Sequence, residues 1–213
     1  MFRRFSVAAA DPDDDSVRQN GEISDPASEP PVPTPPFTLP WPPLVRGTVA
    51  LRPWGASDKD PEYLAAAWAD ADIARWTKVP QDRSRGAAKT WVAGEGVRRD
   101  SGKALDLCVT EAGAPEVIFG EVGMVLVEPT RRWAEIGYWL FPGVRGAGRA
   151  SVAVDVFSDW VLHSQGIRRV VARIPDGHER SAGVVARAGF SEVGKLADGT
   201  VVWCRDAAGT VTS

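Results

Sequence analysis

The sequence predicts an α/β (α+β) fold class: a mixed, mostly antiparallel central sheet flanked by helices, behind a disordered N-terminal tail. Three observations predict it. Apolar runs at 104–110, 117–127 and 133–140 are separated only by short, turn-rich loops, which makes them antiparallel neighbours. The last of these runs passes through a glycine-rich turn into an amphipathic stretch and then another apolar run, the pattern of one crossover unit. Ahead of all this, residues 1–45 hold ten of the seventeen prolines and show no apolar periodicity.

That first segment carries three Arg against seven acids and lacks the apolar surface that would offset the entropy of ordering. Residues 30–43 favour extended polyproline II. The reading is an acidic, Pro-rich tail and linker over 1–45, one domain over 46–206 and a short C-terminal tail over 207–213. Residues 1–10 have too little apolar length for a signal peptide, and the following Asp13-Asp14-Asp15 argues against a transit peptide.

Within the domain, 48–52 is a strand. Pro61 opens a helix running through Trp68, since Pro is tolerated in a first helical turn. A second helix spans 85–98 and stops before the Asp100-Ser101-Gly102 turn. After the three-strand meander, Ala150, Ala153, Val154, Phe157, Trp160 and Val161 recur at three- and four-residue steps, and Gly166 is placed to end that helix. A strand at 170–174, a helix at 179–188 closed by Gly189, and a strand at 201–205 complete the order.

Composition removes several functions. No apolar run approaches the ~18 residues of a membrane span, and a net charge of −3 exerts no global pull on nucleic acid or membranes. Removing the tail's −4 leaves +1 for residues 46–213, so the acidic balance says nothing about a ligand. Cys108 and Cys204 are too few for a disulfide framework and lack metal-ligand spacing; no metal is expected. Arg outnumbers Lys twenty to five, which points to a GC-rich, bacterial coding sequence. Of nine tryptophans, Trp68, Trp76 and Trp91 fall on the early helices, as core or as a pocket lining.

The chemistry concentrates in Gly143-Val144-Arg145-Gly146-Ala147-Gly148-Arg149-Ala150. A glycine-rich strand-to-helix turn presents backbone N–H groups and the positive end of a helix dipole, which suits an anion; it is also what any tight turn needs. A Walker loop is excluded, because Gly148 is followed by Arg149-Ala150 and not by Lys-Ser/Thr. A dinucleotide fingerprint is excluded because Ser151 stands at its third glycine. What the segment does contain is Arg-x-x-Gly-x-Ala, at Arg145, Gly148 and Ala150. This resembles the pyrophosphate loop of the GCN5-related N-acetyltransferases. Ala134-Glu135-Ile136-Gly137-Tyr138-Trp139-Leu140 is similar to the fourth strand of the subgroup that acetylates ribosomal-protein N-termini. Leu51-Arg52-Pro53 resembles its first strand, and Ser181 to Phe190 its closing motif. The resemblance covers residues 46–206.

The resemblance implies an acyl-CoA N-acyltransferase fold, with the sheet splayed between the fourth and fifth strands and acetyl-CoA as acyl-donor substrate. The backbone of Tyr138, Trp139 and Leu140 would bond the pantetheine arm. The N–H groups of Gly146, Ala147, Gly148, Arg149, Ala150 and Ser151 would hold the pyrophosphate, with Arg145 at the loop's start. Arg180 and Arg187 are candidates for the nucleotide phosphate. Transfer is direct: a base frees the amine, which attacks the thioester, and an acid protonates the thiolate. The sequence departs from the pattern where the usual Tyr acid would stand (Val185), at the motif's Asn (His178), and at a recurrent base position (Arg173). Glu135 is left as the base candidate, with Glu121 in reserve; either is otherwise a strand-surface carboxylate. His178 would face the thiol end or sit in solvent, and Ser181 would serve the thiolate or cap a helix. The acceptor is a primary amine, a protein or peptide N-terminus or a small molecule. The expected setting is the cytoplasm, as a monomer or homodimer. A competing reading is an acyl-CoA-binding sensor or scaffold without turnover.

Overall fold

The computed structural model describes residues 34–208; of the tail and linker expected over 1–45, residues 1–33 lie outside the described residues, as does the end of the C-terminal tail. In chain order the elements are β1 (Leu44–Arg46), β2 (Val49–Pro53), α1 (Asp60–Ala69), α2 (Ala71–Trp76), α3 (Arg85–Ala93), α4 (Glu95–Asp100), β3 (Ala104–Glu111), β4 (Ala114–Glu128) and β5 (Trp133–Leu140). A 3-10 turn (Pro142–Val144) then leads to α5 (Arg149–Ser164), β6 (Arg169–Ile174), α6 (Glu179–Arg187), β7 (Ser191–Lys195) and β8 (Val201–Asp206). The strands form one sheet, ordered β1-β2-β3-β4-β5-β6-β8-β7. Only the β5–β6 pair is parallel, joined by the α5 crossover. The mixed, mostly antiparallel sheet is thus present, and its predicted fourth and fifth strands are β5 and β6.

Helices cover both faces, which is why β3 is buried almost throughout and does not alternate. One face packs Leu107, Val122, Met124 and Ile136 against Val154, Phe157 and Val161 of α5. The other packs Trp139 and Cys108 against Trp54, Leu64, Trp68 and Ile73 from the α1–α2 side. Trp68 is therefore core.

Four features differ from the sequence reading. Residues 34–45, assigned to the linker, are part of the fold. Phe37 is 2% exposed in the main core, its N–H donates to Arg99 O (3.0 Å), and β1 pairs with β2. A single aromatic anchor among prolines carries no periodicity to read. The 85–98 helix is two helices meeting at Gly94, a residue that weakens a continuous helix. The α2 helix was missed, although Asp70 caps it by accepting from the N–H groups of Asp72 and Ile73. Strand β7 was also missed, because all five of its residues are exposed.

The sheet opens at one point. β5 and β6 pair only at Trp133–Arg169, Ala134–Val170 and Glu135–Val171. Beyond this β5 stays with β4 as far as Leu140, and β6 stays with β8 as far as Ile174. The two strands diverge, and the gap between them leads to the glycine-rich turn.

Candidate active site

A cleft of about 1150 Å³ occupies that gap. Tyr138, Trp139 and Leu140 form one wall, the turn and the first residues of α5 form its end, and residues 177–181 with Val184 and Arg187 form the opposite wall. α2 and Thr77 line the remaining side. Of the predicted cofactor residues, only Ala147 is absent from this lining.

The turn's glycines are required by backbone conformation. Gly146 and Gly148 have φ of +86° and +74°, and a Cβ at either would meet no protein atom within 4 Å. A left-handed backbone of this kind is costly for any residue with a Cβ. Gly148 is also the N-cap of α5, with no side-chain cap, so the first-turn N–H groups of this sixteen-residue helix have no side-chain acceptor from the cap residue. Five arginines line the cleft against two acids, Asp72 and Glu179. Arg145 donates to Leu140 O (2.8 Å) and pairs with Asp72. Arg149 folds back to Val144 O (3.0 Å) and lies over the Phe119 ring. Arg187 donates to Ser151 Oγ (3.2 Å).

At the far wall, His178 is the N-cap residue of α6 and stacks on Trp76 with ring centroids 4.1 Å apart. Burial holds its pKa below the ordinary histidine value, helped by the positive charges of Arg145, Arg180 and Arg75 and opposed by Asp72. Ser181 does not cap the helix. Its Oγ lies 2.6 Å from the Tyr138 hydroxyl, which also donates to Ser181 O (3.0 Å). Burial pushes the Tyr138 phenol up to about 12, with the Ser181 hydrogen bond acting the other way. The sequence reading gave Tyr138 a backbone role only; the structure also places its side chain on the cleft wall, with the hydroxyl at Ser181. Val185 is fully buried.

A second, smaller cavity of about 140 Å³ adjoins the cleft and shares Thr77, Tyr138 and Trp139 with it. Asp106, Glu121 and Glu135 line it. Glu135, the first base candidate, is outside the main cleft and forms an ion pair with Arg173. Glu121 accepts from the Trp139 indole (3.1 Å), while its Oε2 is closed to solvent and has no hydrogen-bond partner. Burial raises its pKa to about 7, with Glu95 adding and the Trp139 bond opposing. Beside it, Asp106 is pushed well above the carboxylate range by burial and by the charges of Glu121 and Glu95. Glu95 is held by Arg98 (2.5 Å) and accepts the Asp106 N–H (3.1 Å). The ladder explains the gathering. Cys108 pairs with Glu121, Asp106 with Gly123, and Val125 with Glu135, so these side chains share one face. A Cβ on Gly123 would overlap the Asp106 carboxylate. No local motif marks Asp106 or Glu95; strand register brings Asp106 to Glu121, and packing of α4 against β3 brings Glu95 to Asp106.

Comparison with known proteins follows this geometry closely. The family model described as acetyltransferase (GNAT) domain matches residues 48–191. The chain is 31% identical over 83 residues to the Bacillus subtilis (strain 168) protein named "Putative ribosomal N-acetyltransferase YdaF", a match covering 39% of this chain and 45% of that relative. The chain thus spans less than half of that curated relative. Among solved structures, the ribosomal-protein-S5-alanine acetyltransferase of Vibrio fischeri superposes with a TM-score of 0.68 at 18% identity, over 80% of this chain and 99% of that one. RimJ of Mycobacterium smegmatis, solved with CoA-disulfide, gives 0.65 at 20% identity, over 78% and 86%.

Proposed function

Since this chain belongs to the acetyltransferase (GNAT) family, we propose that it transfers an acetyl group from acetyl-CoA to a primary amine by direct attack on the thioester. The observation that carries the reading is the continuity of two cavities. The cleft that follows the β5–β6 gap to the uncapped start of α5 meets the carboxylate cavity at Thr77, Tyr138 and Trp139. Donor and acceptor sites of a direct transfer must meet in this way, because the amine has to reach the thioester carbon.

The residues divide the work. Backbone N–H groups of 146–151 hold the pyrophosphate of the donor, and the β6-facing edge of β5 at Tyr138, Trp139 and Leu140, where Leu140 O accepts from Arg145, orients its pantetheine arm. Of the two carboxylates considered from the sequence, we assign the base to Glu121. It is raised to about 7 and keeps an oxygen without a partner, whereas Glu135 is engaged by Arg173. A base poised near neutrality takes a proton from an ammonium and can lose it again each turnover. Tyr138, relayed by Ser181, supplies the proton to the leaving thiolate. His178, whose pKa burial holds below the ordinary histidine value, serves as a wall of the thiol end. The acceptor is a protein or peptide N-terminus or a small amine, met in the cytoplasm; the ribosomal name of the B. subtilis relative supports the first.

Thiol release on mixing the protein with acetyl-CoA and a panel of peptides, diamines and aminoglycosides tests the reading. Release with one acceptor class is expected. Calorimetric CoA binding without release across the panel would leave the non-catalytic sensor as the function.

A further inference from the structure

α2 touches both rims of the cleft, and its anchor in the core is the Ile73 side chain. It has six residues, of which only Ile73 is buried. Asp70, in extended conformation, separates it from α1, and residues 77–84 after it have no regular structure. At its start, Asp72 pairs with Arg145 of the glycine-rich turn. At its end, Trp76 stacks on His178 at the start of α6, with an interplanar angle of 23°. The next residue, Thr77, belongs to both cavities.

We propose that α2 is a latch across the cleft, released when an anionic ligand takes Arg145 from Asp72. This rests on the reading of the cleft as a site for the donor's phosphates. Arg145 has a fixed second partner, Leu140 O (2.8 Å), so its guanidinium stays at the turn while its charge can be shared by Asp72 or by a phosphate. Asp72 is 46% exposed and Arg145 29%; an ion pair in such a position is worth little and is readily displaced. With Asp72 released, the Trp76–His178 stack still ties α2 to the far rim, and the helix turns about Asp70. Thr77 moves with it, which opens the carboxylate cavity. Donor binding thereby prepares the acceptor site. Coupling of this kind is reciprocal: donor binding weakens the latch, and weakening the latch tightens the donor.

The chain has only two histidines, His163 and His178, so the His178 ring protons are a clean NMR probe of the stack. In the full chain, Trp76 shifts them upfield; saturating CoA removes that shift, and Asp72→Asn reduces it without any ligand. Asp72→Asn also binds CoA about two- to fivefold more tightly, the range of a surface ion pair. That gain disappears in the Arg145→Gln background, whereas simple removal of a negative charge would persist there. An unchanged His178 spectrum on CoA binding, or an Asp72→Asn gain that survives Arg145→Gln, overturns the latch. If CoA does not bind at all, the donor reading fails; the ligand-free spectrum of Asp72→Asn still decides the latch, and an unaltered one sinks it.

Discussion

The cleft and the carboxylate cavity share three residues, yet they are built by opposite means. The cleft is made of backbone: two left-handed glycines, an uncapped sixteen-residue helix and a strand edge freed by divergence of β5 and β6. Arginines surround it. The cavity is made of side chains, with Asp106, Glu121 and Glu135 drawn from three strands, and the Glu95–Arg98 pair of α4 lies behind it against Asp106. Backbone N–H groups bind an anion whatever side chains lie alongside, so only glycine positions are constrained. A carboxylate cavity works only if each acid's charge is controlled by its neighbours. Glu121 is raised first by burial, with the charge of Glu95 adding and the Trp139 bond and Arg98 opposing.

The contrast is broken most directly at Glu121. Glu121→Gln lowers kcat at neutral pH by roughly 10²–10⁴-fold, the range of a lost general base, and leaves CoA affinity unchanged. An equal loss in Glu135→Gln with an active Glu121→Gln would exchange the two roles.

The same variant separates charge control from folding. Glu121 has its pKa raised from 4.5 to about 7 in the folded chain, so between those values the native state holds a proton that the unfolded chain has lost. Stability therefore falls as pH rises through this window, by up to roughly 3 kcal/mol. Denaturant melts at pH 5 and pH 8 should show this loss in the wild type and much less of it in Glu121→Gln.

On the backbone side, Gly148→Ala puts a Cβ on a residue at φ +74°. A cost of about 1–2 kcal/mol appears as roughly a tenfold weaker Kd for CoA by calorimetry, because the turn relaxes and its N–H groups lose their aim. A variant that binds normally would show that the turn tolerates another conformation. The smallest effect is expected at Ser181→Ala, which removes one hydrogen bond from Tyr138, worth about 1 kcal/mol. It should lower kcat about fivefold and raise the phenol's pKa further, read by ultraviolet titration.

Legibility divides along the same line. Strands β3 to β6 were readable as apolar runs between turns, α5 because it buries a periodic set of apolar residues, and α6 because Gly189 closes it. α2 is too short, β7 too exposed, and residues 34–45 too rich in proline to show a period. In the site, Gly146, Gly148 and Arg145 were readable because their spacing is local. Glu121 stood only in reserve behind Glu135, because from one dimension both are carboxylates on strands. The choice between them depends on Arg173 reaching Glu135 and on burial beside Asp106 and Glu95.

The sequence by itself therefore determined the fold class, the order of most elements and the position of an anion-binding turn, since periodicity and glycine conformation are properties of neighbours along the chain. Only the tertiary structure decided which carboxylate is free, that Tyr138 supplies a hydroxyl at Ser181, and that α2 bridges the cleft. Charge, desolvation and reach depend on what lies across a strand ladder or a gap. Residues such as Asp106 and Glu121, fifteen positions apart in the chain, meet there only when β3 and β4 pair in this register.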